Sequence, residues 1–391
     1  MTAGFDKKAL VIKVQGGEVS CDFAQQTTPG VSRLKPYQPG KPISELAREL
    51  GLDEKAIVKL ASNENPLGPS EKVVATLQSE CADLARYPDG SGYQLKQALA
   101  AKLSVDPQGI TLGNGSNDVL DLIVRAWVSP GDEVVFSEHA FAVYPISTLA
   151  ASGQPVQVPA KDYGHDLVAM AAAITDKTRV VFIANPNNPT GNWLDRDALK
   201  TFLQSVPERV LVVLDEAYCE YIDHPDYPNG LDWLADYPNL VVTRTFSKIY
   251  GLASLRVGYS VSSVAIAEVL NRVRQPFNVN SFALAAAVAA LADEDYVARS
   301  KAMNTDGLRQ LEQGLDVLGL SYIPSLGNFI TFDTGHNGEQ VYQTLLKRGV
   351  IVRPVTGYGL PAHLRVSVGT PEENQAFLDA LPAALSEVAA L

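Results

Sequence analysis

Short apolar runs alternate with segments of helical periodicity through the first two thirds of the chain. Four of these runs, at residues 133–136, 180–184, 210–214 and 240–242, consist almost entirely of valine and other apolar residues. Strands that are covered by helices on both faces lose the polar alternation of half-exposed strands. The pattern therefore predicts an α/β fold built on a mostly parallel central sheet.

Polar side chains follow the predicted strands at their carboxyl ends. Asn188, Asp215, Tyr218 and Lys248 each come shortly after one of the last three runs. Ligands of open α/β sheets bind at the carboxyl ends of the strands. We therefore expect these four side chains to converge on one rim of the sheet.

The lysine lies in a stretch of small hydroxylated residues, Thr243–Ala253, that opens from the run at 240–242. Flanked by Thr245 and Ser247 and followed by Arg256, Lys248 is well placed for an anionic ligand. A lysine also becomes nucleophilic when it is desolvated or lies beside a second cation, which Arg256 could supply. From these residues alone, a solvated surface lysine is the alternative.

A glycine-rich segment at residues 111–118 leads into a predicted helix whose apolar face contains Val119, Leu122, Ile123, Ala126 and Trp127. Free backbone N–H groups at a helix N-terminus bind anions, and Ser116 and Asn117 could add further donors. An ordinary loop in which the serine caps the helix is an equally good interpretation of the segment alone.

The pattern changes after residue 275. An alanine-rich helical stretch at 281–318 is followed by a smaller α/β unit. A capping box at Thr370–Glu373, with proline at the first helical position, predicts the start of its last helix. Arg353 and Arg365 lie within two otherwise apolar strands of this unit. A buried arginine needs a partner, so each either pairs with an acid or faces a ligand cleft.

We predict four segments. Residues 1–31 form a disordered N-terminal extension without a function, and residues 32–66 form an arm with a short helix at Ile43–Leu50 that belongs in part to the small domain. Residues 67–275 form a large ligand-binding domain, and residues 276–391 form a small C-terminal domain with an interdomain helix. A turn is predicted at residues 87–90, where proline holds the second position and glycine the fourth.

The composition of the chain argues against several classes of partner and against a membrane-spanning protein. The net charge of −12, from 44 acidic and 32 basic residues, argues against a nucleic acid or an anionic membrane as the main partner. Cys21, Cys81 and Cys219 are widely spaced, so we expect reduced thiols, no metal site and a cytoplasmic protein. No apolar stretch in the sequence is long enough to span a bilayer.

Together these residues supply the parts that a pyridoxal 5'-phosphate (PLP) enzyme needs. They are a lysine for a Schiff base, an aspartate to keep the pyridine nitrogen protonated, a phosphate cradle with an arginine, and carboxylate-binding arginines. Asp215 has the expected place at a neighbouring strand end. Tyr218 and Asn188 could donate to the ring oxygen, and Phe141 could stack on the ring.

The motifs at residues 188–191, 215–218 and 247–248, followed by Arg256, resemble those of the fold-type I aminotransferases. More narrowly, residues 60–68, 86–90, 245–248 and 364–369 resemble the histidinol-phosphate aminotransferase family. The resemblance extends from Ser32 to the C-terminus. It implies a large domain on a mostly parallel sheet, a smaller α/β domain, PLP as the cofactor, and a homodimer with the active site at the subunit boundary.

The resemblance also implies roles for individual residues. Lys248 bonds to the cofactor and moves protons, with Asp215 and Tyr218 as its catalytic partners. The cofactor phosphate and ring are held by Ser116, Asn117, Asn188, Ser247 and Arg256, by Phe141, and by Tyr87 from the partner subunit. The substrate is held by Tyr37, Asn63, Arg353 and Arg365. Phe141 stands where some relatives have tyrosine.

Three other functions remain open from the sequence. An aromatic amino-acid aminotransferase or a PLP decarboxylase of the threonine-phosphate type would use the same cofactor motifs. A transcription regulator with an aminotransferase-like sensor domain would need a basic DNA-binding module ahead of the fold, and the first thirty residues contain none.

Overall fold

The computed structural model describes residues 13–14, 17–18, 23 and 25–390, so the prediction of a disordered extension at 1–31 falls mainly outside the described residues. The helices are α1 (Ile43–Leu50), α2 (Glu71–Glu80), α3 (Tyr93–Leu103), α4 (Ser116–Trp127), α5 (Val143–Ala150), α6 (Leu167–Ala172), α7 (Arg196–Ser205), α8 (Val264–Val273), α9 (Ser281–Leu291), α10 (Glu294–Val317), α11 (Gly338–Leu346) and α12 (Pro371–Ala389). The strands are β1 (Lys13–Val14), β2 (Gly17–Glu18), β3 (Val58–Lys59), β4 (Ile110–Gly113), β5 (Glu133–Ser137), β6 (Gln154–Val158), β7 (Thr178–Ala184), β8 (Leu211–Asp215), β9 (Leu240–Thr245), β10 (Gly258–Ser262), β11 (Tyr322–Ile323), β12 (Phe329–Asp333), β13 (Val350–Ile351), β14 (Arg353–Pro354) and β15 (His363–Ser367).

A seven-stranded sheet in the order β4-β10-β9-β8-β7-β5-β6 forms the centre of the molecule. Its strands are parallel except β10, which is antiparallel to both of its neighbours. The prediction of a mostly parallel sheet is confirmed, although the reversed strand was not foreseen. The register places Asp215 beside Ala184 on one side and Thr243 on the other, which aligns three strand ends at one rim.

Helices bury both faces of this sheet, which explains the unbroken apolar runs in the sequence. Along β7, Val180 and Phe182 belong to the core on one face, while Val181 and Ile183 belong to the core on the opposite face. Each of the four is completely buried. A polar residue at any of these positions would lie in a core, so period-two alternation cannot occur there.

A second, antiparallel sheet in the order β11-β12-β15-β14 packs against α10, α11 and α12. The pairing of β14 with β15 sets Arg353 directly opposite Arg365. A separate parallel pair, β3 with β13, ties the arm to this part of the chain. The two arginines therefore lie side by side on neighbouring strands.

Two local predictions are refined by the structure. The alanine-rich stretch at 281–318 consists of two helices, α9 and α10, which meet at residues 292–293. The turn predicted at 87–90 lies two residues later, where the N–H of Gly92 donates to the carbonyl of Asp89 over 3.1 Å. The Asp89 carboxylate accepts from the N–H groups of Ser91 and Tyr93, which fixes the turn at the start of α3.

The α12 capping box is confirmed, with Thr370 and Glu373 bonded reciprocally to each other's backbone. The proposed domain boundaries at 66/67 and 275/276 stay a prediction. Within the described residues, no helix has the length and apolar character needed to cross a membrane.

Candidate active site

One pocket lies at the rim of the large sheet and is closed from above by β14, β15 and the arm. Every predicted site residue except Tyr87 lines it, namely Tyr37, Asn63, Ser116, Asn117, Phe141, Asn188, Asp215, Tyr218, Ser247, Lys248, Arg256, Arg353 and Arg365. The structure therefore brings together residues that are more than 300 positions apart in the sequence. The expectation of convergence on one rim holds.

Lys248 follows the end of β9 and points into this pocket rather than to the open surface. Its Nζ donates to the carbonyl of Ser62 over 3.3 Å and lies 5.6 Å from the centre of the Tyr218 ring. Burial lowers the pKa of Lys248 to about 7, with further lowering by the charge of Arg365 and then of Arg256. The predicted effect of Arg256 is thus present but secondary to burial.

Asp215 ends β8 and is almost fully buried beneath the lysine. Its carboxylate accepts from the Tyr144 hydroxyl over 2.9 Å and from the Thr243 hydroxyl over 3.1 Å. Burial raises the pKa of Asp215 to about 6, against the lowering effect of these two donors. The donors fix the carboxylate's orientation and favour its ionised form.

Sequence reasoning missed Tyr144 because it lies in the apolar helix α5. Its ring stacks on Phe182 with centroids 4.4 Å apart and an interplanar angle of 1°. The hydroxyl of the ring stacked in this way donates to Asp215. The signal that the sequence offered was a tyrosine three residues after Phe141.

Tyr218 lies three residues beyond Asp215, and its hydroxyl accepts from the Asn63 amide over 3.0 Å. Asn63 is itself held by the Ser367 hydroxyl, which donates to the asparagine oxygen over 3.0 Å. Burial raises the pKa of Tyr218 to about 12, so the phenol keeps its proton near neutral pH. That proton is available to a ligand in the pocket.

The predicted anion site at the start of α4 is built from backbone as well as side chains. Gly115 is the N-cap, with φ of 83°, and no side chain caps the helix, so the alternative of a capping Ser116 is wrong. A Cβ on Gly115 would lie 2.4 Å from Nη2 of Arg256. With glycine at this position the guanidinium reaches the helix end without a clash, so an anion there would meet the backbone N–H groups of the helix and a guanidinium.

Arg256 is held in place by its own contacts with the lysine loop. Its Nη1 donates to the Ser247 hydroxyl over 3.2 Å and to the Ala253 carbonyl over 2.9 Å. Its φ of 56° lies in the left-handed region, which costs a non-glycine residue on the order of 1 kcal/mol. The strained residue thus lies at the anion site.

Arg353 and Arg365 face the pocket. Arg365 donates to Asn188 Oδ1 over 2.5 Å and to the carbonyl of Ala61 over 2.8 Å, and Arg353 donates to the carbonyl of Gln38 over 2.7 Å. Neither arginine forms an ion pair within the described part of the chain, and Nε of Arg365 is buried there without a hydrogen-bond partner. The cleft-facing alternative is therefore the better description of both.

Tyr87 does not reach this pocket in its own chain. Its ring is 81% exposed and stacks on Phe277 with centroids 4.8 Å apart. Three further polar side chains that line the pocket were not predicted as parts of the site: Ser62, Thr245 and Tyr358. No group of metal-ligating side chains occurs among the described residues, and Cys81 and Cys219 are free thiols.

Comparison with known proteins gives consistent results. The family model for aminotransferase class I and II matches residues 55–381. The chain is 62% identical over 360 residues to histidinol-phosphate aminotransferase 2 of Pseudomonas aeruginosa, covering 92% of this chain and 98% of the relative. It is 58% identical to histidinol-phosphate aminotransferase 1 of Idiomarina loihiensis, covering 90% and 96%.

A solved structure is also similar over nearly the whole chain. It is the histidinol-phosphate aminotransferase of Sinorhizobium meliloti in complex with pyridoxal-5'-phosphate, with a TM-score of 0.85 and 31% identity. The alignment covers 93% of this chain and 98% of that one.

Proposed function

The chain belongs to the aminotransferase class I and II family, and from that premise we propose that it is a histidinol-phosphate aminotransferase that uses PLP. The reaction is L-histidinol phosphate + 2-oxoglutarate = 3-(imidazol-4-yl)-2-oxopropyl phosphate + L-glutamate, a step of histidine biosynthesis. The observation that supports this substrate most strongly is that Arg353 and Arg365 line the pocket of Lys248 and have no acidic partner among the described residues. The names of the similar proteins agree with it.

The residues of the pocket fit PLP. Ser116, Asn117, Ser247 and Arg256 would form a cradle for its phosphate, and a Cβ at position 115 would require the guanidinium of Arg256 to move. When bound, PLP supplies an aldehyde that takes up the amino group and a pyridine ring that accepts the electron pair of a broken bond at the substrate carbon.

Three polar residues of the pocket could each interact with the pyridine ring of PLP through a hydrogen-bond donor or a charge. Asp215 places a negative charge where the ring nitrogen would lie, oriented by Tyr144 and Thr243. Tyr218 keeps its own proton to donate because it only accepts from Asn63. The side-chain oxygen of Asn188 accepts from Arg365, and among the described residues no acceptor takes the amide N–H groups of Asn188, which could donate to the ring oxygen.

Lys248 is the proposed base and acid of the reaction. A pKa of about 7 lets its amine exist in both protonation states at neutral pH, so it can take a proton and return it. The half-buried pocket reduces the access of water to this amine. The charges of Arg365 and Arg256 lower the pKa of this amine, and those of Glu64 and Asp215 raise it.

We propose that Arg353 and Arg365 bind the anionic end of either amino donor. Histidinol phosphate ends in a phosphate and has no α-carboxylate, whereas glutamate carries two carboxylates. Guanidinium groups bind both kinds of anion through paired N–H donors. Phe141 would stack on the cofactor ring, and Tyr37 closes the outer side of the pocket beneath Arg353, 5.5 Å from its guanidinium.

We further propose a homodimer in the cytoplasm. Helix α9 is apolar at every position after Ser281, yet Leu284 and Val288 are only half-buried and line a groove with Tyr87. A second copy of the chain would cover this face and could bring its Tyr87 to the phosphate cradle. The free thiols of Cys81 and Cys219 agree with a reducing compartment.

The substrate is tested by comparing kcat/KM for L-histidinol phosphate and L-phenylalanine with 2-oxoglutarate as the acceptor. We expect a preference of about tenfold or more for the phosphate, because an anion site left unfilled by phenylalanine loses its charge-assisted hydrogen bonds. A preference for phenylalanine would assign the enzyme to aromatic amino acids. Release of CO2 from a phosphorylated amino acid, without glutamate formation, would assign it to the decarboxylases.

A further inference from the structure

Tyr358 lies in the anion pocket, although nothing in the sequence motifs points to it. It ends a 3₁₀ turn, Thr356–Tyr358, in the connection between β14 and β15. These are the strands that carry Arg353 and Arg365, and Tyr358 lines the same pocket as both. The connection therefore places a phenol beside the two guanidinium groups.

The Tyr358 hydroxyl interacts with both arginines. The charges of Arg365 and then of Arg353 both act on it, and both guanidinium groups line the same pocket. Burial, the largest influence, raises the pKa of Tyr358 above its ordinary value, so the hydroxyl remains protonated. Arginine has only donors, so neither guanidinium can accept the phenol hydrogen, which stays available to a ligand.

The backbone of Tyr358 is fixed from the other side by His139. Nδ1 of His139 lies 2.6 Å from the Tyr358 carbonyl oxygen, and because a carbonyl only accepts, this nitrogen must carry the hydrogen. His139 is 6% exposed and follows β5 of the large sheet. Its own carbonyl accepts from the Asn187 amide over 3.0 Å. The position of the phenol thus depends on a hydrogen bond between His139, which follows the large sheet, and the turn that contains Tyr358.

The two anions that the pocket must hold differ in their number of oxygens. A carboxylate presents two acceptor oxygens, and a phosphate monoester presents three with more negative charge. Paired donors from the arginines match two oxygens of either anion. A third oxygen, present only in the phosphate, needs another donor.

Resting on the proposed function, we propose that the Tyr358 hydroxyl donates to the third phosphate oxygen and so favours phosphorylated over carboxylated substrates. His139 is its positioning residue, since its contact with the Tyr358 carbonyl holds the turn that carries the phenol.

The first test replaces Tyr358 by Phe, which removes only the hydroxyl. In the holoenzyme, KM for L-histidinol phosphate should rise about tenfold with little change in kcat, the lower end of the effect of a hydrogen bond to a charged group. KM for L-glutamate should change less than about threefold, because its carboxylate lacks the third oxygen. Tyr163→Phe, which removes an exposed phenol outside the pocket, serves as the control. An equal loss for both donors, or a loss in kcat alone, would overturn the assignment.

The second test concerns His139. In His139→Ala the KM for L-histidinol phosphate should rise, again with kcat largely kept. His139→Asn should restore it, because the asparagine Nδ2 can take the place of the imidazole Nδ1 as the donor to the Tyr358 carbonyl. If the asparagine variant is as impaired as the alanine variant while both remain folded, His139 is not the positioning residue.

A third measurement separates this inference from the proposed substrate. Inorganic phosphate should inhibit the glutamate reaction of the holoenzyme competitively, and its inhibition constant should rise about tenfold in Tyr358→Phe. If the wild-type enzyme does not turn over histidinol phosphate but the inhibition constant still rises in Tyr358→Phe, the proposed substrate is refuted and the role of Tyr358 is kept. An inhibition constant that is the same in both enzymes would refute the role of Tyr358.

Discussion

Lys248 combines a chemical role with an energetic cost to folding. Burial lowers its pKa from 10.5 to about 7, which means that the folded chain disfavours its charged form. Its neighbours offset this only in part: the carbonyl of Ser62 accepts its hydrogen bond and the charges of Glu64 and Asp215 favour the protonated amine, whereas the charges of Arg365 and Arg256 oppose it. The property that makes the amine reactive is therefore also a source of instability in the cofactor-free protein.

This cost predicts the pH dependence of stability. The unfolded chain binds more protons than the folded one between about pH 7 and 10.5, so the contribution of Lys248 to stability rises with pH through this window. Its penalty is fully present below pH 7. We expect cofactor-free Lys248→Met to be more stable than wild type at pH 6, on the order of a few kcal/mol, and the gain to vanish by about pH 10.5.

Urea unfolding of the cofactor-free proteins at several pH values measures this difference, with exposed Lys55→Met as the control. A gain from Lys248→Met that does not depend on pH would show that burial does not shift the lysine.

Arg365 allows a second prediction for a single side chain. If it anchors both amino donors, Arg365→Leu should lower kcat/KM for histidinol phosphate and for glutamate, each by about tenfold to a hundredfold, as expected for charge-assisted hydrogen bonds. Single-turnover kinetics of each half-reaction checks this, with circular dichroism to confirm folding. Unchanged turnover of either donor would refute the idea of a shared anchor.

Individual site residues were predictable from the sequence where they follow a strand. Asp215 and Lys248 come after apolar runs, and the ends of parallel strands meet at one rim. Tyr144 and Tyr358 were not predictable in this way. Their roles depend on packing between distant segments, such as Tyr144 on Phe182 and Tyr358 against His139.

At the level of elements, the loop between β4 and α4 shows how backbone geometry creates an anion site. Gly115 has a φ of 83° and no room for a Cβ next to Arg256. Gly131 has a similar φ of 88°, but no atom lies within 4 Å of the Cβ position there. The two glycines therefore share backbone strain on substitution but differ in what a methyl group would contact.

This pair separates strain from site disruption. Gly115→Ala and Gly131→Ala should each lose about 1–3 kcal/mol of stability from the unfavourable φ. Only Gly115→Ala should also weaken cofactor binding, by roughly tenfold or more, because it displaces the guanidinium of Arg256 from the phosphate. Fluorescence titration of the cofactor-free variants with PLP gives the dissociation constants. Equal weakening in both variants would refute the cradle at Gly115.

Helices and strands were predictable from the sequence where a single physical effect, such as burial on both faces of a sheet, determines the pattern of residues. The apolar runs predicted β5, β7, β8 and β9, since burial on both sheet faces removes alternation. The reversed direction of β10 and the break between α9 and α10 were not predictable. Strand direction depends on which neighbours a strand meets, and that is set by the folded chain as a whole.

At the scale of the whole molecule, α9 has an apolar face that the other described residues leave partly uncovered. Leu284 and Val288 are half-buried, and the nearby side chains of Leu84, Tyr87 and Tyr93 are largely exposed. Charged side chains also line the groove that Leu284 and Val288 share with Tyr87, and an exposed apolar patch with a polar rim is typical of a protein–protein interface.

A charge on this face should weaken the proposed dimer. Val288→Glu would bury an unpaired carboxylate in the interface, so we expect it to shift the protein toward monomer at micromolar concentration. Val168→Glu, a change at an 82% exposed position of α6, should leave the dimer intact. Light scattering coupled to size-exclusion chromatography measures both masses. A Val288→Glu variant that remains as dimeric as wild type would exclude α9 from the interface.

The most direct test of the proposed activity is a spectral titration of the PLP-loaded enzyme with L-histidinol phosphate. The absorbance of the bound cofactor should change to that of the pyridoxamine form at low substrate concentration, and 2-oxoglutarate should reverse the change. Conversion by L-phenylalanine alone would contradict the proposed substrate while keeping the transaminase reaction. No conversion by histidinol phosphate, phenylalanine or glutamate would contradict the proposed function itself.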